Sequence, residues 1–83
     1  MKGNDPQRWN KLLAVLDDKL QLNLLEHLHR VAAYHFEEDI LYLEAASTEE
    51  EEYLKKDSVL QQLQLHAADA LNVERIKIRP HSA

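Results

Sequence analysis

Val31-Ala32-Ala33-Tyr34-His35-Phe36, Glu37-Glu38-Asp39 and Ile40-Leu41-Tyr42-Leu43-Glu44-Ala45 form the continuous stretch on which the fold turns. Val, Tyr, Phe and Ile favour strands, and two such runs around a short polar segment predict a β-hairpin. In the second run Leu41 and Leu43 share one face, while Ile40 and Tyr42 share the other. The turn carries no Asn-Gly or Asp-Gly pair, the usual mark of a tight hairpin. Read instead as helix, the stretch would make the chain an all-helical bundle, which its one glycine and two prolines would permit.

Upstream of the hairpin the period changes to that of a helix. Asp5 can cap a helix start and Pro6 suits its first position. Trp9, Leu12, Leu13 and Leu16 then recur on one face, predicting a helix over Pro6 to Asp18. Asp17-Asp18-Lys19 is a polar break without glycine. Leu20, Leu24, Leu25 and Leu28 resume the stripe and predict a second helix over Gln21 to His29. Nothing in the break forces a stop, so one continuous helix is the alternative.

Downstream, Ser47 and Thr48 are helix caps, with Glu50 and Glu51 each placed to close a capping box. The acidic run Glu49 to Glu52 suits the first turn of a helix. Lys55 and Lys56 stand four residues after Glu51 and Glu52, the favourable order for helix ion pairs. Tyr53, Leu54, Leu60, Leu63, Ala67 and Leu71 supply the apolar stripe. Ser58 can cap a restart after Asp57, and Asn72 suits a left-handed C-cap. The closing segment Val73-Glu74-Arg75-Ile76-Lys77-Ile78-Arg79 alternates apolar with basic residues, a half-buried strand with a basic outer face. Pro80 would end its pairing and residues 80–83, like residues 1–4, would fray.

These elements give an α+β domain of order α, α, β, β, α, β, with a small three-stranded sheet packed on helices. The expected core is Trp9, Leu13, Leu16, Leu24, Leu28, Leu41, Leu43, Leu60, Leu63, Ile76 and Ile78. At 83 residues the chain fits a single domain, residues 1–83. A domain of this size buries roughly 60–65% of the surface its unfolded chain exposes.

Composition narrows the function. The net charge is -5, a poor background for gripping a nucleic-acid backbone. With no cysteine, disulfides, thiolate metal sites and cysteine nucleophiles are excluded. Residues 1–6 contain no apolar run, so no secretory signal is expected, and no apolar run approaches the ~20 residues that span a bilayer. The expectation is a soluble, cytoplasmic protein. Gly3 is the single glycine, so no phosphate-cradling loop can form. Ser47, Thr48 and Ser58 lie in no glycine-flanked turn that would expose a nucleophile. The domain is therefore expected not to be an enzyme and to carry no cofactor.

Among the five histidines, His27 and His29 point to different sides of a helix. No pair has the i, i+4 spacing of a shared metal site, so surface or half-buried polar roles are expected. Arg75, Lys77 and Arg79, with Arg30, can form a basic strip that docks an acidic partner or a nucleic acid. The plainer reading is protection of a strand edge against aggregation. No aromatic residue interleaves with these charges in sequence, which disfavours stacking on single strands. Trp9 is expected in the core; an uncovered Tyr34 or Tyr42 would be an interface anchor.

Taken together, several segments resemble one family. They are Trp9-Asn10-Lys11-Leu12-Leu13, Leu24-Leu25-Glu26-His27-Leu28, Glu38 to Ala45, Glu52-Tyr53-Leu54-Lys55-Lys56 and Val73 to Ile78. The pattern from about Arg8 to Arg79 resembles the C-terminal domain of the gamma/tau clamp-loader subunit of bacterial DNA polymerase III. It is also similar to the N-terminal domain of the replication initiator DnaA. The resemblance implies a KH-like fold and a non-catalytic tether in DNA replication. The implied partner is the replicative polymerase or a DnaB-type helicase. The KH Gly-x-x-Gly clamp is missing, so KH-style RNA binding is not implied. The alternatives are a DnaA-type helicase-binding or self-association domain, a small helical oligomerisation domain, and a nucleic-acid-binding module.

Overall fold

The computed structural model describes residues 3–79. The elements run α1 (Pro6–Asp18), α2 (Leu22–His29), β1 (Ala33–Glu37), β2 (Ile40–Glu44), α3 (Thr48–Leu54), α4 (Asp57–Leu71) and β3 (Arg75–Arg79). The chain is thus α+β, with a three-stranded sheet of order β1-β2-β3 packed on helices. β1 and β2 are antiparallel; β2 and β3 are parallel. A parallel neighbour needs a long crossover, and α3 and α4 supply it.

The expected third helix is two. α3 ends at Leu54, and α4 begins at Asp57 after an extended Lys56. Ser58, expected as the cap of the restart, lies inside α4, and Lys56 stands at the N-cap with no side-chain bond. The all-helical alternative falls with the three strands. The single upstream helix falls as well. Leu20 takes φ 59, while its N–H donates to the Asp17 carbonyl and that of Gln21 to the Leu16 carbonyl. This pair of bonds is a Schellman stop, built with leucine where glycine is usual.

Local signals fix the other ends. Asp5 accepts from the Arg8 N–H at 3.2 Å, and Ser47 accepts from the Glu50 N–H at 3.2 Å. Lys55 meets Glu51 at 2.9 Å, the anticipated i, i+4 pair. Asn72 closes α4 in the left-handed region, φ 58. Glu38 does the same in the hairpin turn, φ 56.

Burial alternates along the sheet. Tyr34 and Phe36 on β1 and Leu41 and Leu43 on β2 are buried beneath the helices. They meet Trp9, Leu12 and Leu16 of α1, Leu24 and Leu28 of α2, Leu54 of α3, and Leu63, Ala67 and Leu71 of α4. Trp9 stacks on Tyr34 with ring centroids 4.3 Å apart. Four expected core residues, Leu13, Leu60, Ile76 and Ile78, are only half-buried. α1 turns Leu12 inward in place of Leu13, and Ile76 and Ile78 ride an edge strand covered on one side only. Val31 and Val73, expected within strands, are buried in the connections just before β1 and β3.

Asn4, expected in a frayed end, is tied to β1 through both backbone polar groups of Phe36. The expectation of fraying for residues 1–2 and 80–83 lies outside the described residues. Among the described residues, no helix is long and apolar enough to cross a membrane.

Candidate functional site

The alternation that buries Leu41 and Leu43 turns their neighbours outward. The outer face of the sheet carries Ala33, His35 and Glu37 from β1, Ile40, Tyr42 and Glu44 from β2, and Arg75, Lys77 and Arg79 from β3. No described element covers it: His35, Glu37, Arg75, Lys77 and Arg79 are exposed, and the rest are half-buried.

Tyr42 lies at the middle of this face, with His35 opposite on β1 and Lys77 opposite on β3. The His35 and Tyr42 rings lie 5.9 Å apart. The Arg79 guanidinium sits over the Tyr42 ring, 4.9 Å from its centroid, an attraction of cation to ring face. Ala33, Tyr34, His35, Tyr42, Glu44 and Arg79 line a shallow open depression. His35 Nε2 lies 3.5 Å from a Glu37 carboxylate oxygen at the rim. Arg75 and Lys77 have no ion-pair partner among the described residues, so their charges face outward.

Of the four basic residues singled out in the sequence, the structure brings Arg75, Lys77 and Arg79 together on β3. Arg30 does not join them. It caps the C-terminal end of α2, where it meets Glu26 at 2.6 Å and Glu50 at 3.6 Å. There it belongs to another cluster, in which His27 Nδ1 lies 2.6 Å from Glu50 Oε2. The His27 ring also stacks on Tyr53 at 3.7 Å. These contacts pin α3 to α2 and hold Arg30 within them.

Sequence reasoning assigned His35 a surface or half-buried role but did not place it on the face of the β3 cations, across Tyr42 from them. It left Tyr34 and Tyr42 undivided, yet the alternation around Leu41 and Leu43 already separates them: Tyr42 follows Ile40 outward, and Tyr34 pairs with Leu43 inward. The aromatic residues absent from the basic segment in sequence are supplied across the sheet by β2 and β1. The His27–Glu50 pair had no sequence signal, since its residues lie 23 positions apart on separate helices.

Among the described residues, no group of three or more histidine, aspartate or glutamate side chains is gathered as a metal site would require. The face thus carries a central tyrosine with Ala33 and Ile40 as apolar neighbours, cations along β3 on one side, and the carboxylates of Glu37 and Glu44 on β1 and β2. The fold and this surface define an α+β domain with one sheet face closed by helices and the other open. No protein-family model, curated protein or solved structure matches the chain.

Proposed function

We propose that this domain is a non-catalytic protein-interaction module whose open sheet face receives the partner. The observation that carries this reading is Tyr42 at the centre of an uncovered face, flanked by Arg79, Lys77 and His35. Aromatic and arginine side chains dominate binding energy at protein interfaces. The resemblance seen in the sequence gives the setting: the bacterial replication machinery, with the domain tethering the clamp loader to the replicative polymerase or to a DnaB-type helicase.

Calorimetric titration of the domain into each of these two proteins tests the proposal. Saturable binding to one of them, weakened about tenfold or more by Tyr42→Ala, is the expected result. Absence of binding to both removes the replication setting. Tight binding to an oligonucleotide with a steep loss of affinity in salt replaces the protein partner by a nucleic acid.

A further inference from the structure

The backbone of β3 carries a second feature that its side chains do not reveal. The Arg75 N–H donates to the Asp39 carbonyl at 3.3 Å, and the Arg79 carbonyl accepts from Ala45 N–H at 3.5 Å. In a parallel pair, alternate residues turn both polar groups to the neighbour. Arg75, Lys77 and Arg79 therefore face β2 with their backbones. Ile76 and Ile78 aim their N–H and C=O groups the other way. β3 is the end strand of the sheet, and no described element pairs with that side. Only its entrance is closed, where Gln64 Nε2 donates to the Glu74 carbonyl at 2.6 Å. The opposite edge of the sheet differs, because on β1 the Asn4 amide occupies the polar groups of Phe36.

We propose that the open edge of β3 binds an extended acidic peptide segment of a partner protein, which adds to the sheet as a fourth strand. This rests on the interaction-module reading and names the partner's chemistry. Each side chain of β3 selects one feature of the segment. On the helix side, Ile76 and Ile78 are half-exposed and offer apolar contact to alternate residues of the incoming strand. On the outer side, Arg75, Lys77 and Arg79 favour carboxylates at the residues between. The segment is thus one that alternates apolar and acidic residues.

The same charges argue against a second copy of this chain. Pairing β3 with β3 would set cations beside cations, and like charges on neighbouring strands repel. A phosphate backbone could meet the cations, but it has no row of amides to match Ile76 and Ile78.

The test uses a short synthetic peptide of alternating valine and glutamate, with amide exchange and NMR shifts read on the isotopically labelled domain. The expected result is saturable binding that slows exchange at the Ile76 and Ile78 amides. N-methylation of alternate peptide amides should abolish it, and Lys77→Glu should weaken it about fivefold. A lysine–valine peptide should not bind. No binding up to about 1 mM overturns strand addition. So does binding whose shifts surround Tyr42 while Ile76 and Ile78 exchange as before, and that outcome leaves the interaction-module reading standing. A single-stranded oligonucleotide that displaces the peptide at these cations overturns it in favour of nucleic acid, and sedimentation as a dimer overturns it in favour of self-pairing.

Discussion

Asn4 meets Phe36 across 32 positions of sequence as a neighbouring strand would: its Oδ1 accepts from the Phe36 N–H at 2.7 Å, and its Nδ2 donates to the Phe36 carbonyl at 2.5 Å. One side-chain amide thus closes the β1 edge and anchors the chain entering α1. Gly3 makes this approach possible, since a Cβ there would fall on the Tyr34 ring. Asn4→Ala should lower stability by about 1 kcal/mol in urea denaturation, with faster amide exchange at Phe36. Gly3→Ala should produce the same local exchange signature by lifting the segment away.

Leu20 holds a left-handed conformation and is 78% exposed. A leucine there strains its backbone by about 1–2 kcal/mol and has little packing to lose. Leu20→Gly should relieve that strain, offset in part by the greater freedom of glycine when unfolded. The expected outcome is a rise of about 0.5–1 kcal/mol by chemical denaturation, with the helix content unchanged.

His66 carries the one buried side-chain nitrogen or oxygen without a hydrogen-bond partner among the described residues, its Nε2. An unmade bond of this kind costs about 1–3 kcal/mol, and an apolar residue of similar size avoids it. His66→Leu should therefore raise the thermal midpoint, and His66→Gln, which keeps a polar end, should not.

Two groups set opposite limits in pH. Burial, and then the Asp5 carboxylate, push the Tyr34 hydroxyl above the usual tyrosine range. The folded protein keeps this proton where the unfolded chain releases it. The contribution is therefore full below about pH 10 and is lost as pH rises through the folded value. Tyr34→Phe should flatten that alkaline loss. The Arg8 side chain, and then its backbone N–H, hold the Asp5 carboxyl below the usual carboxylate range. This contribution is present above about pH 3.9 and is lost as pH falls through the lower folded value. Asp5→Asn keeps an acceptor for the helix start and should remove that acid dependence in denaturation profiles.

Lys77 is exposed and unpaired among the described residues. Lys77→Glu should leave folding stability within about 0.5 kcal/mol. Equilibrium denaturation beside the binding measurements would then assign any lost binding to the surface.

The bounds of α1, the hairpin and the alternation of β3 were legible because each is written in a local period. Helical spacing placed Trp9 and Leu16 inward, and alternation paired Leu41 with Leu43. Boundaries without a residue signature were not legible. Leucine is a poor marker of the left-handed stop after α1, and Lys56 is a poor marker of the break before α4. The candidate surface was half legible. Arg75, Lys77 and Arg79 share a face by simple alternation, but Arg30 was joined to them by charge alone and is instead held by Glu26 and Glu50.

By itself the sequence determined which residues of each element point the same way, because backbone geometry sets side-chain direction within a few residues. Only the tertiary structure decided which elements stand side by side. It laid β3 parallel to β2, so that Arg79 covers Tyr42 and Lys77 flanks it. It put Asn4 on one sheet edge and left the other open at Ile76 and Ile78. Those choices follow from how the helices close over a single apolar face, and that packing depends on contacts between distant residues that no local period encodes.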